Sequence, residues 1–279
     1  MKRAEIRIRD PFIYTDKKNG LYYMYGTTEL TEGYGTLPRL SVYISKDLEN
    51  FEGPTLLFDG EKENFWATHD YWAAEMHEYK NKYYLFVSLK AEGKRRGTQI
   101  FVCDSLDGRF KPLSDKPVTP EEWECLDGTL CVEDGTPYIV FCHEWVQCHD
   151  GEICAQALSD DLSTPVGEPF VLFKASDNPH VQEYGAGSGN YVTDGPFLWK
   201  ENGKLKMIWS SFQKDKYAVF GATADKLCGK WIHTDNLVDF DGGHAMLFST
   251  LDGKRKIALH SPNTIKKERA RFFDWDKTF

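Results

Sequence analysis

A short motif that recurs five times along the chain is the feature that most constrains its fold. Each copy is a turn pair followed by a short apolar run, as in Asn19-Gly20 before LYYMYGT. Aligned on the second turn residue, the copies fall at positions 20, 81, 135, 203 and 253. Turn pairs between short apolar runs predict β-hairpins, and no window shows a sustained helical period. The chain is therefore expected to be all-β and built from repeats.

Further strand-like segments recur in phase with these hairpins. A short strand precedes each copy, and another follows each of the first four, as in YISKDL at 43–48. Each interval between copies has room for about four strands of 5–6 residues with their turns. The pattern predicts a five-bladed β-propeller of four-stranded antiparallel blades, formed by a single domain over 1–279. A β-sandwich of similar composition would lack this period.

Charge and cysteine content exclude several other classes of protein. The net charge is −9 and the bases are not clustered, so neither nucleic acid nor a membrane surface is an expected partner. No apolar stretch approaches the length of a membrane-spanning helix. The N-terminal residues lack the apolar core of a secretory signal, and the seven cysteines include no CxxC pair. We therefore expect free thiols and a cytoplasmic location, with a secreted form whose signal was trimmed left open.

The phase of the repeat predicts which side chains meet at the centre. In a propeller the first strand of each blade lines the central channel. The first strands begin with Asp10, Tyr71-Trp72, Asp127, Asp194 and His244, and Glu75 lies a little deeper in the second. The second strands return antiparallel, so their ends should reach the same mouth. Those ends carry Thr27-Thr28, Ser88, His143-Glu144-Trp145, Ser210-Ser211 and His260-Ser261.

Three acids at one mouth indicate chemistry, although each also has an ordinary explanation. Asp127 and Asp194 precede Gly, where Asp is usually a turn residue, and Asp10 before Pro can simply open a strand. Like charges crowded on an axis raise one another's pKa and cost stability, which favours a functional role. Glycoside hydrolysis uses a general acid at the leaving oxygen and a second carboxylate on the other face of the sugar. A third carboxylate can hold the pKa of the acid up.

Aromatic and polar side chains at the same mouth would suit a sugar. Aromatic faces stack on sugar rings and leave the hydroxyl groups for polar partners. The residues expected to contact an oligosaccharide or polysaccharide are Trp72, Glu75, Glu144, Trp145, Ser211 and His244.

Five motifs in this order resemble glycoside hydrolase family 43. They are Arg9-Asp10-Pro11-Phe12-Ile13, the YWAAEMH segment at 71–77, Leu126-Asp127-Gly128-Thr129, Asp194-Gly195-Pro196-Phe197-Leu198 and Gly242-Gly243-His244. The resemblance covers residues 9 to about 275. It implies a five-bladed propeller that hydrolyses arabinose- or xylose-containing glycans, namely α-L-arabinofuranosyl or β-D-xylosyl linkages, with inversion.

The resemblance also implies roles for individual residues. Asp10 would be the general base that activates water, Asp127 would tune and orient the acid, and position 194 would be the general acid. His244 resembles an axial histidine that lies near a hydrated calcium ion in some members. No other cofactor is expected.

Position 194 departs from the family pattern, which has Glu where this chain has Asp. The carboxyl is one methylene shorter, and a displacement of about 1 Å can cost on the order of a hundredfold in rate. Three explanations stay open at this point. The backbone could advance, a neighbouring Glu144, Glu183 or Glu75 could serve as the acid, or the protein could be a weak or inactive enzyme that binds glycans as a lectin-like propeller. The unequal blade ends favour one asymmetric site over the repeated sites of a lectin.

Overall fold

The structure, a computed structural model, describes residues 1–279 as five antiparallel β-sheets. Blade one contains β1 (Arg9–Asp16), β2 (Leu21–Thr27), β3 (Arg39–Ser45) and β4 (Phe51–Asp59). Blade two contains β5 (His69–Tyr79), β6 (Lys82–Lys90), β7 (Gly97–Cys103) and β8 (Lys111–Pro112). Blade three contains β9 (Cys125–Glu133), β10 (Thr136–His143), β11 (Glu152–Leu158) and β12 (Pro165–Lys174). Blade four contains β13 (Asp194–Glu201), β14 (Lys204–Gln213), β15 (Lys216–Ala224) and β16 (Ile232–Asn236).

Blade five has three strands, β17 (Gly243–Ser249), β18 (Arg255–Ser261) and β19 (Arg269–Asp274), so the expectation of four is wrong for this blade. The free edge of β19 is met by the N-terminal segment, where Arg7 forms an antiparallel bridge with Arg269. The Arg7 guanidinium also lies 3.1 Å from the buried carboxylate of Glu268. The start of the chain therefore closes the ring against its last blade. The five-bladed propeller itself is confirmed.

Helical structure is confined to short connections. The single α-helix is α1 (Trp145–Cys148), and two 3-10 turns cover Arg3–Glu5 and Ala175–Asp177. None of these helices could cross a membrane. All seven cysteines are free thiols, as expected.

Apolar clusters fill the spaces between neighbouring blades, and they explain the apolar runs of the sequence. In β14, Met207 and Trp209 pack toward blade three, whereas Ile208 between them packs toward blade five. Successive side chains of a strand point to opposite faces, so a strand buried on both faces is apolar at every position. The blades consequently stand face to face, with their first strands adjacent at the axis.

Candidate active site

The first strand of every blade is distorted near its start. Pairing with the second strand loses its register there in each blade, for instance between Arg9 and Phe12 and between Asp194 and Phe197. A residue with positive φ marks each distortion: Asp10 (52°), Ala73 (48°), Asp127 (56°), Gly195 (51°) and His244 (51°). Gly adopts this conformation freely, and Asp and His do so more readily than most residues. Such bulges re-aim side chains, and here they turn the acids and the histidine toward one mouth.

Hydrogen bonds from the neighbouring blade hold these distortions in place. The second-strand ends predicted to reach the mouth supply the acceptors. The bonds are Ala73 N to Thr27 Oγ1 (2.7 Å), Asp127 N to Ser88 Oγ (2.8 Å), His244 N to Ser210 Oγ (2.7 Å) and Asp10 N to His260 Nδ1 (3.2 Å). Four of the five blades thus fix the distortion in the next blade through a second-strand end, so the geometry of the site depends on most of the ring.

Asp10 lies against the Thr27 hydroxyl and two imidazoles. Thr27 Oγ1 donates to Asp10 Oδ2 at 2.5 Å, and Asp10 Oδ1 lies 3.3 Å from His244 Nδ1 and 3.2 Å from His260 Nδ1. Burial alone would raise the pKa of Asp10, but the two histidines outweigh it and hold the pKa well below its usual range. Asp10 is therefore ionised at neutral pH and can accept a proton.

The pKa values of Asp127 and Asp194 are raised, opposite to that of Asp10. Asp127 Oδ2 accepts a hydrogen bond from Gly195 N at 2.9 Å and lies 3.6 Å from His244 Nδ1. Burial raises the pKa of Asp127 to about 6, against the opposing effect of His244. Burial, and then the charge of Asp127, raise the pKa of Asp194 to about 7. Asp194 therefore carries a proton that it can donate near neutral pH.

All three aspartates line one cleft of about 490 Å³. Four of the six residues predicted to contact a glycan line it as well: Trp72, Glu144, Trp145 and His244. Glu75 and Ser211 do not line it, and for these two sugar contact stays a prediction. Glu75 is buried deeper, 3.1 Å from His77 Nε2, and the Ser211 hydroxyl donates to the Val192 carbonyl at 2.6 Å.

One wall of the cleft is a row of aromatic rings. Trp145 lies 5.5 Å from Tyr184, Tyr184 lies 4.7 Å from Phe212, and Phe212 lies 5.4 Å from Tyr217, measured between ring centroids. Of these, the sequence pointed only to Trp145. Phe212 could have been found, because it directly follows the predicted strand end at Ser210-Ser211. No feature of the sequence marked Tyr184 or Tyr217 as cleft residues.

A buried arginine lies against Trp72, which lines the cleft. Arg96 Nη2 lies 2.9 Å from Asp70 Oδ2, Arg96 Nη1 pairs with Glu144, and the guanidinium carbon lies 4.4 Å from the Trp72 ring centre. Trp72 Nε1 donates to the Tyr34 carbonyl at 2.8 Å. The Trp72 ring is therefore fixed by a cation–π contact and a hydrogen bond. Sequence reasoning missed Arg96.

Comparison with known proteins shows the family of this chain. The family profile for Glycosyl hydrolases family 43 matches residues 4–275. The chain belongs to glycoside hydrolase family 43. The resemblance seen in the sequence is thereby confirmed, and the chain is a family 43 glycoside hydrolase.

Solved structures similar to this family 43 chain include several sugar-active proteins. An endo-arabinase from Bacteroides thetaiotaomicron is 39% identical, with a TM-score of 0.90 over 100% of this chain and 97% of that one. An endo-1,4-beta-xylanase from the same organism is 25% identical, with a TM-score of 0.78 over 98% and 91%. An alpha-L-arabinofuranosidase from Lactobacillus brevis shares the fold at 15% identity, with a TM-score of 0.72 over 97% and 91%. No curated protein matched the chain.

Because Asp194 is shorter than the Glu that resembling sequences have at this position, another carboxyl could serve as the general acid instead. Glu75 and Glu183 do not line the cleft. Glu144 does, and burial raises its pKa, but its carboxylate is paired with the guanidinium of Arg96. Asp194 is thus the cleft carboxyl best suited to donate a proton.

The side chains around His244 do not form a calcium site by themselves. His244 Nε2 is buried without a hydrogen-bond partner, and it could bind a metal only from the neutral imidazole. Calcium takes six to eight oxygen ligands, and no group of three His, Cys, Asp or Glu side chains is arranged to hold a metal. Calcium near His244 stays an untested prediction, and no step below depends on it.

Proposed function

We propose that this family 43 enzyme hydrolyses α-L-arabinofuranosyl linkages of an arabinan-type oligosaccharide or polysaccharide, with inversion at the anomeric carbon. The observation that carries the proposal is one cleft in which two acids have opposite surroundings. Asp10 lies against the Thr27 hydroxyl and two imidazoles, with its pKa lowered, while burial and then Asp127 raise the pKa of Asp194. The 39% identical endo-arabinase supports arabinan as substrate, and the xylanase at 25% identity supports β-D-xylosyl linkages as the second candidate.

Each acid then has one task in the reaction. Asp10 accepts a proton from a water molecule whose oxygen forms the new bond to the anomeric carbon. The glycosidic bond breaks, and its electron pair stays on the leaving oxygen, which takes the proton of Asp194. Burial, and then the charge of Asp127, keep the pKa of Asp194 high, so that the proton is available near neutral pH. A lectin-like propeller would need no such pair of acids.

A comparison of leaving groups tests these roles. Asp194→Ala should lower kcat on an arabino-oligosaccharide by about 10²–10⁴-fold, because an alkoxide needs a proton as it leaves. On p-nitrophenyl arabinofuranoside the loss should be much smaller, since p-nitrophenolate leaves without one. Asp10→Ala should reduce both activities similarly, because both substrates need the activated water.

Asp115→Ala is the matched control, since Asp115 is exposed and has no hydrogen-bond or ion-pair partner.

Proton NMR of the first product should show the inverted anomer. A retained anomer, or tight glycan binding without hydrolysis of arabinosides and xylosides, would refute the proposal.

A further inference from the structure

Tyr217 is held rigidly beside the acid although no sequence motif marked it. It lies in β15, is buried, and stacks on His260 with ring centroids 5.5 Å apart. Phe212 packs against it at 5.4 Å. Gly243 closes the third side, since a Cβ at that position would lie 2.4 Å from the Tyr217 ring. These contacts pack three sides of the ring, which lines the cleft.

The hydroxyl of Tyr217 has one acceptor, the Oδ2 atom of Asp194 at 3.0 Å. Burial, and then the charge of Asp194, raise the pKa of Tyr217 well above its usual value, so the hydroxyl keeps its proton. A phenol supplies a single proton, and here that proton is donated to Oδ2. The proton of the neutral Asp194 carboxyl then belongs on the other oxygen, Oδ1.

We infer that Tyr217 is a positioning residue that fixes the acidic proton of Asp194 on Oδ1 and stabilises the carboxylate left after its transfer. This inference rests on the proposed function of Asp194 as the acid. During the reaction the Oδ1–H bond breaks and its proton joins the leaving oxygen. The negative charge that remains on Asp194 strengthens the hydrogen bond from Tyr217, because hydrogen bonds to ionised acceptors are the stronger ones. The Asp side chain is one methylene shorter than Glu. The placement of the proton on Oδ1 therefore matters more for Asp194 than it would for a Glu.

Tyr217→Phe removes the hydroxyl and keeps every ring contact. A hydrogen bond to a charged group contributes about 1.5–3 kcal/mol, so kcat on an arabino-oligosaccharide should fall about 10–100-fold. KM should stay unchanged, and kcat on p-nitrophenyl arabinofuranoside should change by less than about threefold, because that leaving group needs no proton. Equal losses on both substrates, or a loss confined to KM, would overturn the inference.

Two further variants separate this role from a structural one. Tyr25 lies in blade one, and its buried hydroxyl donates to the Leu106 carbonyl at 2.7 Å. Tyr25→Phe removes that hydroxyl. It should lower the melting temperature as Tyr217→Phe does, without changing the leaving-group dependence. In the Asp194→Ala background, Tyr217→Phe should cause no further loss of kcat, because the partner it positions is gone. An additive loss would show that Tyr217 acts on the substrate instead.

The comparison also distinguishes failure of this inference from failure of the proposed function. If Asp194→Ala shows the leaving-group dependence and Tyr217→Phe does not, only the role of Tyr217 is wrong. If Asp194→Ala itself affects both substrates equally, Asp194 is not the acid and both proposals fall.

Discussion

The neighbours of each aspartate decide its protonation in this cleft. Asp10 contacts two imidazoles and the Thr27 hydroxyl, so its charged form is favoured. Asp194 contacts a phenol and lies near the carboxylate of Asp127, so its neutral form is favoured despite the hydrogen bond. Identical side chains thereby become a base and an acid, and the chemistry follows from surroundings that no single motif specifies.

A bell-shaped pH dependence of kcat/KM follows from these two groups. The base must be ionised, so activity should fall only at a pH below the usual carboxyl range, where Asp10 gains a proton. The acid must be protonated, so activity should fall as pH rises through about 7. His260→Asn should move the acidic limb to higher pH, because His260 helps to lower the pKa of Asp10. An unmoved acidic limb would contradict the role of His260.

At the scale of secondary-structure elements, the bulges of the first strands position the acids and His244 at the cleft. The sequence located these strands, because turn pairs mark hairpins reliably and the repeat phase aligns their starts. It could not locate the bulges, since a one-residue break in the pleat depends on hydrogen bonds from the adjacent blade. Glu75 shows the consequence. Its strand is correctly predicted, but two breaks in register around Trp72 leave Glu75 buried beside His77.

Ser88→Ala tests the bonds between blades. Ser88 Oγ accepts the hydrogen bond of Asp127 N, and both groups are buried. Leaving that N–H without a partner should lower the free energy of unfolding by about 1–3 kcal/mol. Activity should fall as well, because Asp127 is no longer fixed beside Gly195. The exposed Ser249→Ala in blade five is the matched control and should change neither unfolding in urea nor kcat. Equal stability of the two variants would contradict the argument.

At the scale of the whole molecule, the sequence did not predict how the ring closes or which residues form the aromatic wall of the cleft. Both join residues that are distant in sequence and carry no local pattern. Arg7 meets Arg269 across nearly the whole chain, which is why the missing strand of blade five was not foreseen. The aromatic wall joins Trp145 to Tyr184 and Phe212 from three separate segments. The axial acids were predictable because they share one phase of the repeat.

The site lowers the stability of the protein that contains it, and this cost depends on pH. The pKa of Asp194 is about 7 in the folded state and near 3.9 in an unfolded chain. Between those values the folded state binds the extra proton, so stability falls as pH rises through this window and is constant above it. The same direction holds for Asp127, whose folded pKa is about 6.

Asp194→Asn removes this penalty because an amide never has to ionise. The variant should melt above the wild type at pH 8, by about 2–4 °C for each kcal/mol recovered, and the difference should vanish near pH 4. The Tyr217 hydroxyl can still donate to the amide oxygen, so packing is retained. Asp115→Asn makes the same chemical change at an exposed position and should leave the melting temperature unchanged at both pH values. A melting temperature for Asp194→Asn equal to that of the wild type at pH 8 would mean that Asp194 ionises in the folded state without cost, and that its burial does not hold the proton.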